Sequence, residues 1–350
     1  MAQINKSDEY FNTVLYTGDG TSNRNITGFG FQPDFLWQKA RNQTFNHYLF
    51  DSVRGNSSVL KSNTADAQNT STTGFNGFIS DGFNVSQVSG WEMNNSASSV
   101  TYANWCWLGA NGTASNTDGS ITSTVSASTV SGFSIVSYTG TGANATVGHG
   151  LGVAPKMVII KNRTTAAQNW QCYHSALGGT QAIELNTTSA AYTDSTRFNN
   201  TDPTSSVFSI GTSTDVNTSS ASIIAYCFAE KKGFSKFGSY TGNGNADGSF
   251  IYLGFKPAFF LGKRTNSTGE WFLIDNKRNN SFNPQDRILE PNSNLADISG
   301  ATYKYDFLSN GVKIRTTSGA YGNGSGDSFI YMAFAENPLV GTNNIPATAR

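Results

Sequence analysis

Charge is scarce in this chain. Asp, Glu, Lys and Arg make up 13% of its 350 residues, about half the share usual in globular domains. Seven of the acids are Glu, so strong helix formers are few and a helical bundle is excluded. The balance is neutral, Lys+Arg 23 against Asp+Glu 23, and no basic run occurs; a nucleic-acid binder would carry a basic excess or stripe. No apolar stretch approaches the length of a membrane span. The start, MAQINKSDEYFN, lacks the basic and apolar regions of a secretory signal. Folding in the compartment of synthesis, or exit without a signal peptide, is therefore expected. The three cysteines, Cys106, Cys172 and Cys227, are odd in number and widely spaced, so they define no disulfide framework.

Turn formers and aromatics are plentiful. Asn, Ser, Thr and Gly together supply roughly 44% of the chain, and 24 Phe, 14 Tyr and 6 Trp supply surface to bury. Such a mixture suits short strands joined by many turns. It is too aromatic for a disordered chain.

Internal repetition organises the reading. Tyr-Thr-Gly occurs at Tyr16-Thr17-Gly18, Tyr138-Thr139-Gly140 and Tyr240-Thr241-Gly242, and Pro33, Pro155 and Pro257 each follow that glycine by 15 residues. The prolines sit in GFGFQPDFLWQKARN, GLGVAPKMVIIKNRT and YLGFKPAFFLGKRTN, with Lys39, Lys161 and Lys263 six residues later. HYLFDSVRGN, WQCYHSALGG and WFLIDNKRNN come next, and YANWCWLG, IIAYCFAE and IYMAFAE close the units. Three tandem units of about 100 residues follow: 1–109, 133–232 and 233–340, with a Gly/Ser/Thr-rich linker at 110–132 and a tail at 341–350. Because Glu230-Lys231-Lys232-Gly233 runs straight into Phe234, the second and third units are expected to pack closely and the first to stand apart. Within the linker, residues 118–128 are expected to lie ordered against a domain or a neighbouring subunit, since unpaired backbone is costly.

The third unit reads as strands near 236–241, 249–254, 258–264, 270–275, 286–290, 304–308, 311–316 and 327–335, bounded by Gly, Asn, Pro or Asp clusters. With no credible helix, this predicts an all-β chain of antiparallel sandwiches, jelly-roll or lectin-like. Phe35-Leu36-Trp37, Met157–Ile160 and Phe259–Leu261 are apolar at both parities, as a strand covered on both faces requires.

No catalytic set emerges. His47, His149 and His174 show neither nucleophile nor metal spacing, the cysteines read as core, and no two acids recur at matched sites as glycosidase chemistry needs except Glu230 and Glu336. No metal and no cofactor is expected, and the chain reads as a non-enzyme. Asn243-Gly-Asn245-Ala-Asp247-Gly248 opens like a calcium loop, but Gly254 stands where the bidentate acid belongs. The candidate ligand-binding residues are Lys39, Arg41, Lys161, Arg163, Lys263, Trp170 and Trp271, as cations for an acidic sugar or a neighbouring subunit and rings for stacking. Against this, each lysine could pair with the acid that closes the next strand, Asp51 or Asp275, with His174 replacing it in the second unit. Tryptophans in sandwiches are commonly core, and Arg264 falls one position off the shared arginine site.

The phrases NTDGSITSTVSA, GFSIVSYTG, VGHGLGVAPKMVIIKNR, AYCFAE, FGSYTGNG and FIYMAFAENPL resemble the tandem modules of virion proteins from environmental, especially marine, bacteriophages, which are similar to SPRY or concanavalin-like lectin sandwiches. The resemblance covers nearly the whole chain. It implies a virion structural protein, such as a tail fibre, spike or capsid-decoration subunit, made without a signal peptide in the host cytoplasm. Its partners would be other virion proteins and copies of itself, and host attachment would follow if a unit recognised surface glycan. The alternative is a carbohydrate-binding adhesin. Neither nucleic-acid binding nor membrane insertion is implied. The first unit departs from the pattern, with His47 and Tyr48 where the others have tryptophan.

Overall fold

A computed structural model describes residues 3–70, 74–89, 93–279, 283–300 and 302–340. Trp91 and the tail at 341–350 lie outside them. The chain is almost entirely β. Its first segment carries β1 (Phe11–Thr17), β2 (Arg24–Thr27), β3 (Phe35–Ala40), β4 (Tyr48–Asp51), β5 (Leu60–Lys61), β6 (Phe75–Ile79), β7 (Gly82–Val85) and β8 (Thr101–Trp107). Next come β9 (Ala114–Asn116), β10 (Ser123–Ser128), β11 (Phe133–Thr139), β12 (Ala145–Gly148), β13 (Met157–Asn162), β14 (Gln171–His174), β15 (Gln181–Glu184), β16 (Tyr192–Thr193), β17 (Val207–Ile210) and β18 (Ser222–Phe228). The last segment holds β19 (Ser235–Thr241), β20 (Phe250–Tyr252), β21 (Phe255–Arg264), β22 (Trp271–Asp275), β23 (Arg287–Ile288), β24 (Ile298–Ser299), β25 (Tyr305–Leu308), β26 (Gly311–Ile314) and β27 (Ser328–Pro338). Among the described residues the two α-helices are single turns, α1 (Ser195–Phe198) and α2 (Thr214–Asn217), started where Asp194 and Ser213 accept from the backbone N–H two residues on.

Every strand pair in a named ladder is antiparallel. The first large sheet runs β1-β8-β3-β4-β5, the second contains β11-β18-β13-β14-β15, and the third runs β19-β27-β21-β22. A smaller sheet faces each: β2-β7-β6, β12-β17 and β20-β26-β25. A shared order of four strands thus recurs in the three large sheets, while their edges differ. Strand periodicity explains the two-sided apolar strands. Leu36, Ile160 and Phe260 enter the three separate cores between large and small sheets. Their neighbours Phe35, Trp37, Met157, Ile159, Phe259 and Leu261 enter one further cluster shared by all three segments.

That shared cluster corrects the expectation that the first segment stands apart. Phe11 stacks on Phe334 with ring centroids 5.1 Å apart, Trp107 meets Phe259 edge-on at 5.7 Å, and Phe35 lies 4.4 Å from the Tyr226 ring. A fully buried Phe gains about 1.5–3 kcal/mol over an exposed one, so separating the segments would forfeit a core, not a contact.

Residues 118–128 lie ordered against the second segment, as expected, and the stretch 110–132 supplies strands to its sheet. β10 pairs with β11 from Thr124↔Ser137 to Ser128↔Phe133, and β9 pairs with β10. Ile121 makes a parallel bridge to Val147. Val125, Ser123 and Ser126 are buried, so the sparse Thr/Val pattern suffices once an existing sheet edge offers backbone partners.

Candidate functional site

The seven candidate residues do not form a surface site; six of them bond across the seams between segments, and Lys39 bonds within the first. Lys39, Lys161 and Lys263 are wholly buried. Lys161 Nζ donates to the Ala65 carbonyl of the first segment at 3.0 Å and to that of Gln168. Lys263 Nζ donates to Thr188 of the second at 3.3 Å and to the Arg264 carbonyl at 2.9 Å. Lys39 Nζ donates to the carbonyls of Ala40 at 2.6 Å and Gln43 at 3.0 Å. The expected lysine–aspartate contact does not form, because Asp51 and Asp275 pair with Phe35 and Phe259 at the far end of the lysine strands. Burial lowers Lys161 and Lys263 each to about 8.

The neighbouring positions close a ring of backbone bonds. Gln68 N donates to Arg163 O at 2.8 Å, Ala191 N to Thr265 O at 2.8 Å, and Asp297 N to Arg41 O at 2.6 Å. First joins second, second joins third, and third joins first. The half-buried arginines serve the same seams: Arg41 Nε meets Asp297 Oδ2 at 3.1 Å, and Arg163 Nε donates to Gln68 Oε1 at 2.8 Å.

The tryptophans are core residues, which corrects their reading as sugar platforms. Trp170 and Trp271 are 0% and 1% exposed. Trp170 Nε1 donates to Lys61 O of the first segment at 2.9 Å, and Trp271 Nε1 to Glu184 O of the second at 2.8 Å. His47 holds the matching place in the first segment. Its Nδ1 accepts from Trp37 Nε1 at 3.0 Å, which leaves the proton on Nε2. Burial holds its pKa well below the ordinary histidine value.

A third set at the seams is ionic, and only its acids were singled out by the sequence. Asp51 Oδ2 accepts from Arg54 Nε at 2.5 Å and from the Tyr226 hydroxyl of the second segment at 2.7 Å. Asp275 Oδ2 accepts from Arg278 Nε at 2.6 Å and from Trp105 Nε1 of the first at 3.0 Å. Arg278 also binds Asp297 Oδ1 at 2.6 Å and lies 5.7 Å over the Trp105 ring. These aspartate and arginine side chains at 51, 54, 275 and 278 are fully buried. In the second segment His174 Nε2 lies 3.1 Å from Tyr331 O of the third. The signal for the missed arginines was present: Asp-x-x-Arg recurs at 51/54 and 275/278, whereas His174 is followed three on by Leu177.

Among the described residues no three His, Cys, Asp or Glu could hold a metal ion. All three cysteines are buried, and burial raises their pKa values, so none is a ready thiolate. In the 243–248 loop Lys313 Nζ reaches Asp247 at 2.7 Å. No helix among the described residues is long and apolar enough to cross a membrane.

Three of the clefts among the described residues open at segment boundaries. One of about 570 Å³ lies between residues 3–10, Thr129, Val130 and Lys231; one of about 230 Å³ is lined by Asn12, Asn276 and Glu336. The other, also about 570 Å³, is lined by Lys156, Lys231, Lys232, Lys236, Glu230 and Tyr252.

No curated protein matches the chain. A family model described as a domain of unknown function, DUF7483, matches residues 6–338, so nearly all the architecture above falls inside a single family domain. The chain belongs to that family.

Proposed function

We propose that the chain is a non-enzymatic structural subunit of a bacteriophage particle, a tail fibre, spike or decoration protein, in which three sandwich repeats are fused into one rigid pseudo-trimer. One observation carries this reading: the recurring charged and aromatic residues are spent on closing the seams. Gln68–Arg163, Ala191–Thr265 and Asp297–Arg41 form the backbone part of that closure. A heterologous contact that closes after three steps makes a finite block, which suits a part that works by shape and by what its outer surface touches. The uncharged, Asn/Ser/Thr-rich composition fits a solvated particle surface, and the sequence phrases resemble phage virion modules. Labelling the chain in purified particles and imaging them tests the proposal. Density on tail or capsid is the expected result; finding the chain only in infected-cell cytoplasm would refute it.

The glycan-adhesin alternative loses Trp170 and Trp271 as stacking platforms, since both are buried. It keeps one feature, the exposed Tyr252 ring beside the lysine-lined cleft. A glycan array with the whole chain separates the two readings.

A further inference from the structure

The small-sheet edges of the second and third segments occupy equivalent places and are finished differently. In the second, His149 N donates to Ser206 O, so the alternation of an antiparallel ladder turns the N–H and C=O of Thr146 and Gly148 away from β17. The chain covers that edge itself. Ile121 N donates to Thr146 O at 3.0 Å, Thr146 N donates to Ser120 Oγ at 2.9 Å, and Ser123 Oγ donates to Gly148 O at 2.8 Å. Glycine is needed beneath the cover. A Cβ at Gly148 would overlap Asn116 Oδ1, and one at Gly150 would sit 3.1 Å from Ala127 Cβ.

In the third segment Leu253 N donates to Asn310 O, and Ile314 N to Ser249 O. Phe250 and Tyr252 therefore turn their N–H and C=O away from β26, and among the described residues nothing bonds to them. They precede Pro257 by seven and five residues, as Gly148 and Gly150 precede Pro155. Where glycine made room for a cover, the third segment has two rings that are 45% and 57% exposed. The first segment's edge strand β2 instead exposes the polar Asn25 and Thr27. An aromatic, unpaired edge is the kind proteins normally protect.

We infer that the β20 edge is a docking site for an extended segment of a different protein, added as a further strand. The segment would carry small side chains along the edge and an Asp or Glu toward the cleft. Edge hydrogen bonds supply binding and side-chain contacts supply selection. The acid follows from charge: the cleft beside Tyr252 holds Lys156, Lys231, Lys232 and Lys236 against Glu230 alone, and Glu230 pairs with Lys236 at 3.4 Å. Lys156 and Lys232 have no ion-pair partner among the described residues. The segment joining the first and second units is already seated on β12, and the join at 230–233 is too short to supply another. This inference stands apart from the proposed particle role.

The probe is a synthetic peptide copying residues 118–123, which contains Asp118, Ile121 and small polar residues. Added to the whole chain, it should slow hydrogen exchange at amides 250 and 252, with binding at least tenfold weaker in the F250S/Y252S double variant. Lys232→Glu should weaken it severalfold at low salt. No slowing at those amides, or binding unchanged in both variants, would overturn the inference. So would a dimer of the chain that the double variant abolishes, which makes a second copy the occupant. Amides 250 and 252 already protected, and released by deleting residues 341–350, would assign the edge to the chain's own tail. Displacement of the peptide by an acidic oligosaccharide would make the site a glycan site.

Discussion

Two seams of the ring are closed by a buried ion pair and the other by a neutral histidine. Where the neighbour's closing strand offers a donor, Tyr226 or Trp105, the facing residue is an aspartate held by an arginine three residues on. Where the closing strand offers Met332, which has no donor, aspartate and arginine are absent together and His174 turns to the Tyr331 carbonyl. Acid, arginine and donor form one unit that is kept or discarded whole, because a buried charge without its partners costs more than the pair contributes.

Splitting that unit should have the largest effect. Asp275→Ala leaves Arg278 buried without its main partner and should cost about 3–5 kcal/mol, read from the urea midpoint. Replacing the whole set with that of the other seam, Asp275→His with Arg278→Leu and Trp105→Met, should recover much of the loss. A triple variant no more stable than Asp275→Ala alone would break the comparison.

The histidine seam should instead reveal itself through pH. Burial holds His174 at about 4, below the ordinary 6.5, so between those values the unfolded chain binds a proton the folded chain refuses. Stability is then whole above about pH 6.5 and falls as pH drops toward 4, by about 3 kcal/mol from this group. Unfolding free energies for the parent and His174→Asn at pH 7 and pH 4.5 isolate it: the variant should lose less on acidification.

Smaller effects belong to single seam bonds. Trp271→Phe keeps the ring but strips the donor from Glu184 O, a loss of about 1–2 kcal/mol. Lys161→Met leaves the Ala65 carbonyl unpaired and should cost about 1 kcal/mol. Because burial lowers Lys161 to about 8 against an ordinary 10.5, the amine sheds its proton first in the folded chain, so the loss should be smallest below pH 8 and grow as pH rises toward 10.5, where melting data can follow it.

The strands were legible because turn formers mark their ends. The sequence reading placed 236–241, 258–264 and 270–275, and the structure has Ser235–Thr241, Phe255–Arg264 and Trp271–Asp275. It missed β24 (Ile298–Ser299), two residues long, for which no periodicity can accumulate. The recurring lysines were visible, but their destination was not: an amine six residues after a proline reads alike whether it meets solvent or a neighbour's carbonyl. Only the docking of three large sheets turns Lys161 inward. The order of 118–128 was legible from the cost of unpaired backbone, but its place as strands of the second segment's sheet was not, because its pattern rests on two apolar anchors, Ile121 and Val125.

The central claim is that the three segments share one core and unfold as one. Differential scanning calorimetry of the whole chain measures it most directly. A single transition with equal calorimetric and van't Hoff enthalpies is predicted, and Asp275→Ala should shift that whole transition to lower temperature. A separate early transition, with hydrogen exchange showing the first segment open while β13 and β21 stay protected, would contradict it.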